Sequence, residues 1–211
     1  IKTPSASPTA KITQGVGLIN MEVEYSRPSI KGRKIFGELV PFGEMWRTGA
    51  NASTKVMFSD KVQVSGLALD KGTYALYTIP EKTTWTIIFY KNTSFGGVPQ
   101  PKDFKEEDVA ARFSVPVQSI SNKVETFTIE IANLRNDGAD LEVFWENTKV
   151  IIPVKVETDT KVMADIQSTM AGPKPGEVYA AARYYYEEKK DMKQALEWVN
   201  TSLEKGGDKF W

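Results

Sequence analysis

Residues 18–26 read LINMEVEYS, and in them Ile19, Met21, Val23 and Tyr25 alternate with Asn20, Glu22 and Glu24. Alternation with period two places one set of side chains on each face of a strand, apolar toward a core and polar toward water. The same rhythm recurs from Gly17 to Glu157. It is carried by STKVMFS, KVQVSGLALDKGTYALYTIP and TWTIIFYKN, then by VETFTIEIANL, ADLEVFWENT and KVIIPVKVE. Breaks fall at Ser59-Asp60 and Asp70-Lys71-Gly72, and Asp137-Gly138 predicts a hairpin turn. Short strands at this spacing, with no helical segments between them, predict an antiparallel β-sandwich over residues 11–157.

Two segments depart from the rhythm. Residues 92–114, NTSFGGVPQPKDFKEEDVAARFS, lack a clean period and predict a long, solvated surface insertion, with a helical turn or two in KEEDVAAR. After Thr158 the period becomes helical, with Val162, Met163, Ile166 and Met170 on one face and Gly172-Pro173 closing the helix. In residues 174–211, Tyr179, Ala182, Arg183, Tyr186, Ala195 and Val199 partly match a tetratricopeptide repeat. Arg183 stands where a small residue is usual and Val199 where an aromatic is usual. The expectation is a flexible lead-in at 1–10, the sandwich at 11–157, and a tail at 158–211 forming an α-helical hairpin. One such repeat needs neighbours to bury its face. Asp208 reads as a cap opening another helix, so the native chain is expected to continue past Trp211.

Composition removes whole classes of chemistry. The 211 residues include no cysteine and no histidine, which excludes thiol nucleophiles, disulfides, thiolate or imidazole metal sites and histidine general bases. With 27 basic and 27 acidic side chains there is no net field to draw nucleic acid. No apolar run approaches the roughly 18 residues of a membrane-spanning helix. No metal-binding, phosphate-loop or nucleophile-elbow motif is present, so no cofactor is expected. The missing thiols, together with a polar Ser, Thr and Pro-rich start left behind by a removed leader, predict export to the periplasm or envelope of a bacterium.

The candidate site lies in SRPSIKGRKIFGELVPFGEMWRTGAN, residues 26–51. From Ser26 to Lys55 six basic residues face two acidic ones, in an otherwise neutral chain rich here in glycine and proline turns. Arginine suits bidentate recognition of carboxylate, phosphate or sulfate. A tryptophan stacks on sugars or cations, and an asparagine both donates and accepts. Arg27, Lys31, Arg33, Trp46, Arg47 and Asn51 are therefore the candidate ligand-binding residues for an anionic or sugar small molecule. Two alternatives stand beside this non-enzymatic reading. The arginines and Asn51 can instead pin an irregular loop while Trp46 fills the core, leaving the helical tail to bind a protein partner. Glu38 and Glu44, six residues apart, can instead serve as an acid–base pair of a glycan hydrolase, which requires roughly 5–10 Å between carboxylates.

The string YSRPSIKGRKIFGELVPFGEMWRTGANASTKVMFS, with KGTYALYTIP, WTIIFYKN, VETFTIEI and FWENTKVIIPVKV, resembles a family of exported bacterial proteins known only as a domain of unknown function. The resemblance runs from about Lys11 to Lys161. It implies an envelope protein, often with a helical tail, and brings no activity, cofactor or catalytic residue. GTYALYTIP also resembles a strand of small immunoglobulin-like and prealbumin-like sandwiches, which bears on fold alone.

Overall fold

The structure is a computed structural model describing residue 1, residues 3–170 and residues 172–206. The expectations placed on Asp208 and the residues after it lie outside the described residues. The chain divides into two compact units, Ile1–Glu157 and Thr158–Trp211.

The first unit contains β1 (Thr9–Val16), β2 (Ile19–Ser26), β3 (Thr54–Phe58), β4 (Val62–Val64), β5 (Leu67–Leu69), β6 (Gly72–Pro80), β7 (Thr84–Tyr90), β8 (Val109–Arg135) and β9 (Gly138–Val156). One antiparallel ladder joins them in the order β1-β2-β3-β6-β7-β8-β9-β4-β5. The alternation in β2 is realised as read, with Met21, Val23 and Tyr25 buried and Asn20 and Glu24 exposed.

Two strands are far longer than the short runs expected. β8 absorbs residues 109–114 of the predicted insertion, because β7 offers them backbone partners: Ala111 pairs with Phe89 and Phe113 with Ile87. Pairing to a neighbour outweighs weak local preference. β9 joins the two runs expected on either side of Thr148. The two-residue turn between β8 and β9 is Asn136-Asp137, with Arg135 opposite Gly138. Gly138 is needed one position later, since a Cβ there would collide with the Val154 carbonyl oxygen.

That approach of residues 138 and 154 shows that the β8–β9 ribbon turns back on itself. The register slips between Ser119 and Val124, and Glu146 opposite takes a left-handed φ of 52°. Asn147 Nδ2 donates to the carbonyls of Ile120 at 3.0 Å and Ser121 at 3.5 Å, groups the interrupted ladder leaves unpaired. Across the corner, Lys149 Nζ lies 2.7 Å from Glu142 Oε2. Seven residues of straight strand would separate them by about 23 Å, so the pair exists only because β9 bends. The bend brings β8 over β2. The Tyr25 hydroxyl donates to the Ile129 carbonyl at 3.2 Å and accepts from the Ile129 N–H at 3.0 Å, amid a core that includes Met21, Val23, Ile129, Leu141 and Val143.

β6 and β7 are apolar on both faces. Ala75, Tyr77, Ile88 and Tyr90 form a second buried cluster covered by Phe95, Val98 and Phe104. Phe104 stacks on Tyr90 at 4.8 Å, and the Tyr77 hydroxyl donates to the Gly97 carbonyl at 3.0 Å. The predicted solvated insertion is therefore a lid on the sheet's second face, ending in one 3-10 turn at Glu106–Asp108. Burial of that second apolar face is the physical reason for the correction.

The second unit holds three helices rather than a simple hairpin: α1 (Thr158–Thr169), α2 (Pro175–Glu187) and α3 (Met192–Glu204). Asp191 caps α3 by accepting from the N–H groups of Lys193 and Gln194. Tyr185 packs edge-on against Trp198, with ring centres 4.7 Å apart. Asp159 accepts from Tyr184 Oη at 2.8 Å and pairs with Lys190 at 2.6 Å, tying α1 to α2 and to the connection between α2 and α3. Among the described residues no helix is long and apolar enough to cross a membrane.

Candidate functional site

The connection from β2 to β3, residues 27–53, holds no strand or helix; it closes turns of its own, such as Val40 N–H to the Ile35 carbonyl, and takes further partners from the corner of β8 and β9. Ile30 N–H donates to the Glu125 carbonyl at 2.9 Å and Lys31 N–H to the Glu125 carboxylate at 2.9 Å. Ile35 N–H reaches Glu146 Oε2 at 3.3 Å. The segment buries Ile30, Ile35, Phe36 and Val40 in the core. Further on, Trp46 and Thr78 exchange two backbone hydrogen bonds, at 2.7 and 2.9 Å.

The backbone after Trp46 is held in an unusual path. Thr48 (φ 53°), Gly49 (φ 151°) and Asn51 (φ 58°) all lie in the positive-φ region, where non-glycine residues are uncommon. Thr48 is fully buried. Its hydroxyl bonds Thr78 Oγ1 at 3.1 Å, and its carbonyl accepts from Thr54 Oγ1 at 2.5 Å. A Cβ on Gly49 would crowd the Ser26 carbonyl at 3.1 Å. Conformations of this kind persist only where the surroundings over-determine them. Here they fix the direction of Arg47.

Of the six residues singled out from sequence, Arg33, Trp46 and Arg47 line one pocket, and Arg27, Lys31 and Asn51 are not part of its lining. Arg27 turns to β8, donating from Nε to the Phe127 carbonyl at 3.1 Å and from Nη2 to Thr128 Oγ1 at 2.8 Å. Arg33 closes its own turn, with Nε on the Ile30 carbonyl at 2.9 Å and Nη2 on the Ser29 carbonyl at 2.6 Å. Asn51 Nδ2 donates to the Ser7 carbonyl and to Ser26 Oγ. Lys31 holds a left-handed turn position (φ 48°) with its side chain in solvent. Trp46 is no free platform. Its ring stacks on Trp145 at 5.9 Å, meets Phe127, Trp85 and Phe36 edge-on, and donates from Nε1 to the Gly49 carbonyl at 3.0 Å.

Arg47 behaves differently. Its Nε–H is buried and meets no acceptor, and among the described residues its guanidinium makes no hydrogen bond or ion pair. It lines an open pocket of about 360 Å³ with Leu39, Val40, Pro41, Met45 and Val98 as apolar wall and Glu44 beside it. Gly97 lies alongside the guanidinium, where a Cβ would sit 3.4 Å from Nη1, an ordinary contact. Arg33, Trp46 and Trp145 also contribute surface. Of the two carboxylates considered for acid–base work, Glu44 lines the pocket. Glu38 does not, and lies exposed 3.3 Å from Lys34. Val98 and Trp145 are contributors from outside residues 26–51 that sequence reasoning missed, and Val98 is the less legible of the two. Its one signal is an isolated apolar residue between Gly97 and Pro99 in a segment read as solvated.

A pocket of this size falls within the range of small-molecule sites, which are mostly apolar with a few placed polar groups. A guanidinium carries five N–H donors and no acceptor. Leaving a buried donor unmet costs about 1–3 kcal/mol, and the same guanidinium lines the pocket with no protein partner among the described residues. Among the described residues no group of metal-ligating side chains forms.

Comparison with known proteins adds a family and nothing about chemistry. Residues 7–154 match the family model described as protein of unknown function (DUF2911). No curated protein matches the chain, and no solved structure does.

Proposed function

We propose that this chain, which belongs to the DUF2911 family, is an exported, non-enzymatic binding module that takes a small organic anion at Arg47. The observation that carries this reading is the buried Arg47 Nε–H with no acceptor, in a pocket whose other walls are largely apolar. The ligand class that fits is an anionic head on an apolar body. The head takes the guanidinium fork and the body covers Leu39, which is 45% exposed. The sugar variant of the reading loses support because Trp46 spends its ring on the core.

The test is a thermal-shift series of 4-methylpentanoate, phosphate and sulfate on the wild type and on Arg47→Met. A ligand at 100 times its dissociation constant stabilises by about 2.7 kcal/mol, a readily visible shift. Stabilisation by the carboxylate in the wild type and none in the variant supports the proposal. Equal shifts in both, or none from any of these anions or from L-leucine, would refute it.

Export forms part of the same proposal, with the absence of cysteine as its support. We also infer that the bent sheet stacks on itself as a sandwich. The Tyr25 to Ile129 hydrogen bonds and the return of β9 at Glu146 support that arrangement.

One observation favours a second role, protein recognition by the helical unit. Tyr186 and Leu196, 70% and 63% exposed, border a groove of about 290 Å³ between α2 and α3. If a partner seats there, Leu196→Glu weakens the complex co-purified from the native cell and leaves the Arg47 pocket's ligand response intact.

A further inference from the structure

The pocket holds a second charge with no protein partner. Glu44 lies exposed on its lining, and among the described residues its carboxylate makes no hydrogen bond and no ion pair. Three residues along, Arg47 lines the same pocket with its Nε–H buried and unpartnered. Opposite charges this near in sequence commonly meet, yet here no ion pair joins them. Between the two, Trp46 is clamped to Thr78 from both its N–H and its carbonyl. Buried Thr48 fixes the chain on the far side of Arg47.

A simple carboxylate bound to Arg47 would lie beside the Glu44 charge, and like charges brought together are penalised. A ligand carrying an ammonium as well would turn that penalty into attraction. The apolar remainder of the wall, Leu39, Val40, Met45 and Val98, asks for a hydrocarbon body between or beside the two charges. Resting on the anion-binding reading above, we infer that the pocket selects a zwitterion with an apolar side chain, namely a free apolar amino acid or a short peptide of such residues. The carboxylate would take Arg47 and the ammonium Glu44.

Isothermal titration of the full chain with L-leucine, Leu-Leu, 4-methylpentanoate (leucine without its ammonium) and leucinamide (leucine without its carboxylate) decides the matter. The inference requires L-leucine or Leu-Leu to bind at least tenfold more tightly than either truncated analogue. It also requires Glu44→Gln to bring that ligand down to the level of 4-methylpentanoate on the wild type. Because Glu44 is exposed, the variant is expected to melt with the wild type, which a thermal scan verifies. If 4-methylpentanoate binds as tightly as both zwitterions, or the preference survives Glu44→Gln, the zwitterion inference falls while the anion reading stands. If neither the zwitterions nor 4-methylpentanoate binds, both fall together.

Discussion

Arg47 is set apart from Arg27 and Arg33 by what surrounds its donors. The latter two are spent on the Phe127, Ile30 and Ser29 carbonyls and on the Thr128 hydroxyl, so losing either would uncover acceptors. Replacing Arg47 removes a buried donor that has no partner, a change that can be neutral or stabilising. Arg47→Met is therefore expected to leave the unfolding free energy within about 0.5 kcal/mol of the wild type, or to raise it, while abolishing anion binding. Urea unfolding measures this, and a loss above about 2 kcal/mol would make Arg47 a structural residue. At this scale the sequence told which residue types were present but not which were free. That depends on whether an acceptor lies within reach, and the carbonyl and hydroxyl that capture Arg27 belong to β8, about a hundred residues away in the chain. Whether Trp46 is a platform or core filling stayed open in the sequence for a similar reason, since Phe127 and Trp145, which enclose it, lie far along the chain.

Strands and their turns show the opposite balance. Period-two alternation located β2, β7 and the halves of β9, because each needs an apolar face and the pattern is local. The length of β8, the joining of β9 and the corner between them were not legible. They are set by partners supplied elsewhere, such as β7 for residues 109–116 and Asn147 for the carbonyls at the slip. Two substitutions probe the corner. Tyr25→Phe strips both the N–H and the carbonyl of Ile129 of a partner and is expected to cost about 1–3 kcal/mol in urea unfolding. Glu142→Leu leaves the Lys149 ammonium, only 19% exposed, without its carboxylate, and is expected to cost about 3 kcal/mol or more. A loss below about 0.5 kcal/mol in the second case would show that the ion pair does not brace the bend.

For the sheet unit as a whole, titration sets the limits of stability. Burial pushes the Tyr77 hydroxyl up from the ordinary tyrosine value, with Tyr90 adding to the rise and Ser53 opposing it. Burial, then the Asp70 charge, does the same for Tyr74. A raised folded value contributes stability that is complete below the unfolded pKa of about 10 and is lost as pH climbs through the folded one. Asp140 moves the other way. Burial pushes it up, but hydrogen bonds from Asn133 and Arg135 outweigh that and hold it below the usual carboxylate value. Its contribution is present above about pH 4 and lost as pH falls through the lowered value. Melting temperature is thus expected to be flat from about pH 5 to 9 and to decline at both ends, and a decline confined to the acid side would contradict the tyrosine assignment. The central claim concerns the Arg47 Nε–H, and the Nε–Hε resonance of that arginine in a nitrogen-edited NMR spectrum reports on it directly. Assigned by its disappearance in Arg47→Met, the signal is expected to move on addition of 4-methylpentanoate while those of Arg27 and Arg33 stay in place. An Arg47 signal unmoved at saturating carboxylate, or equal movement of all three, would contradict the account.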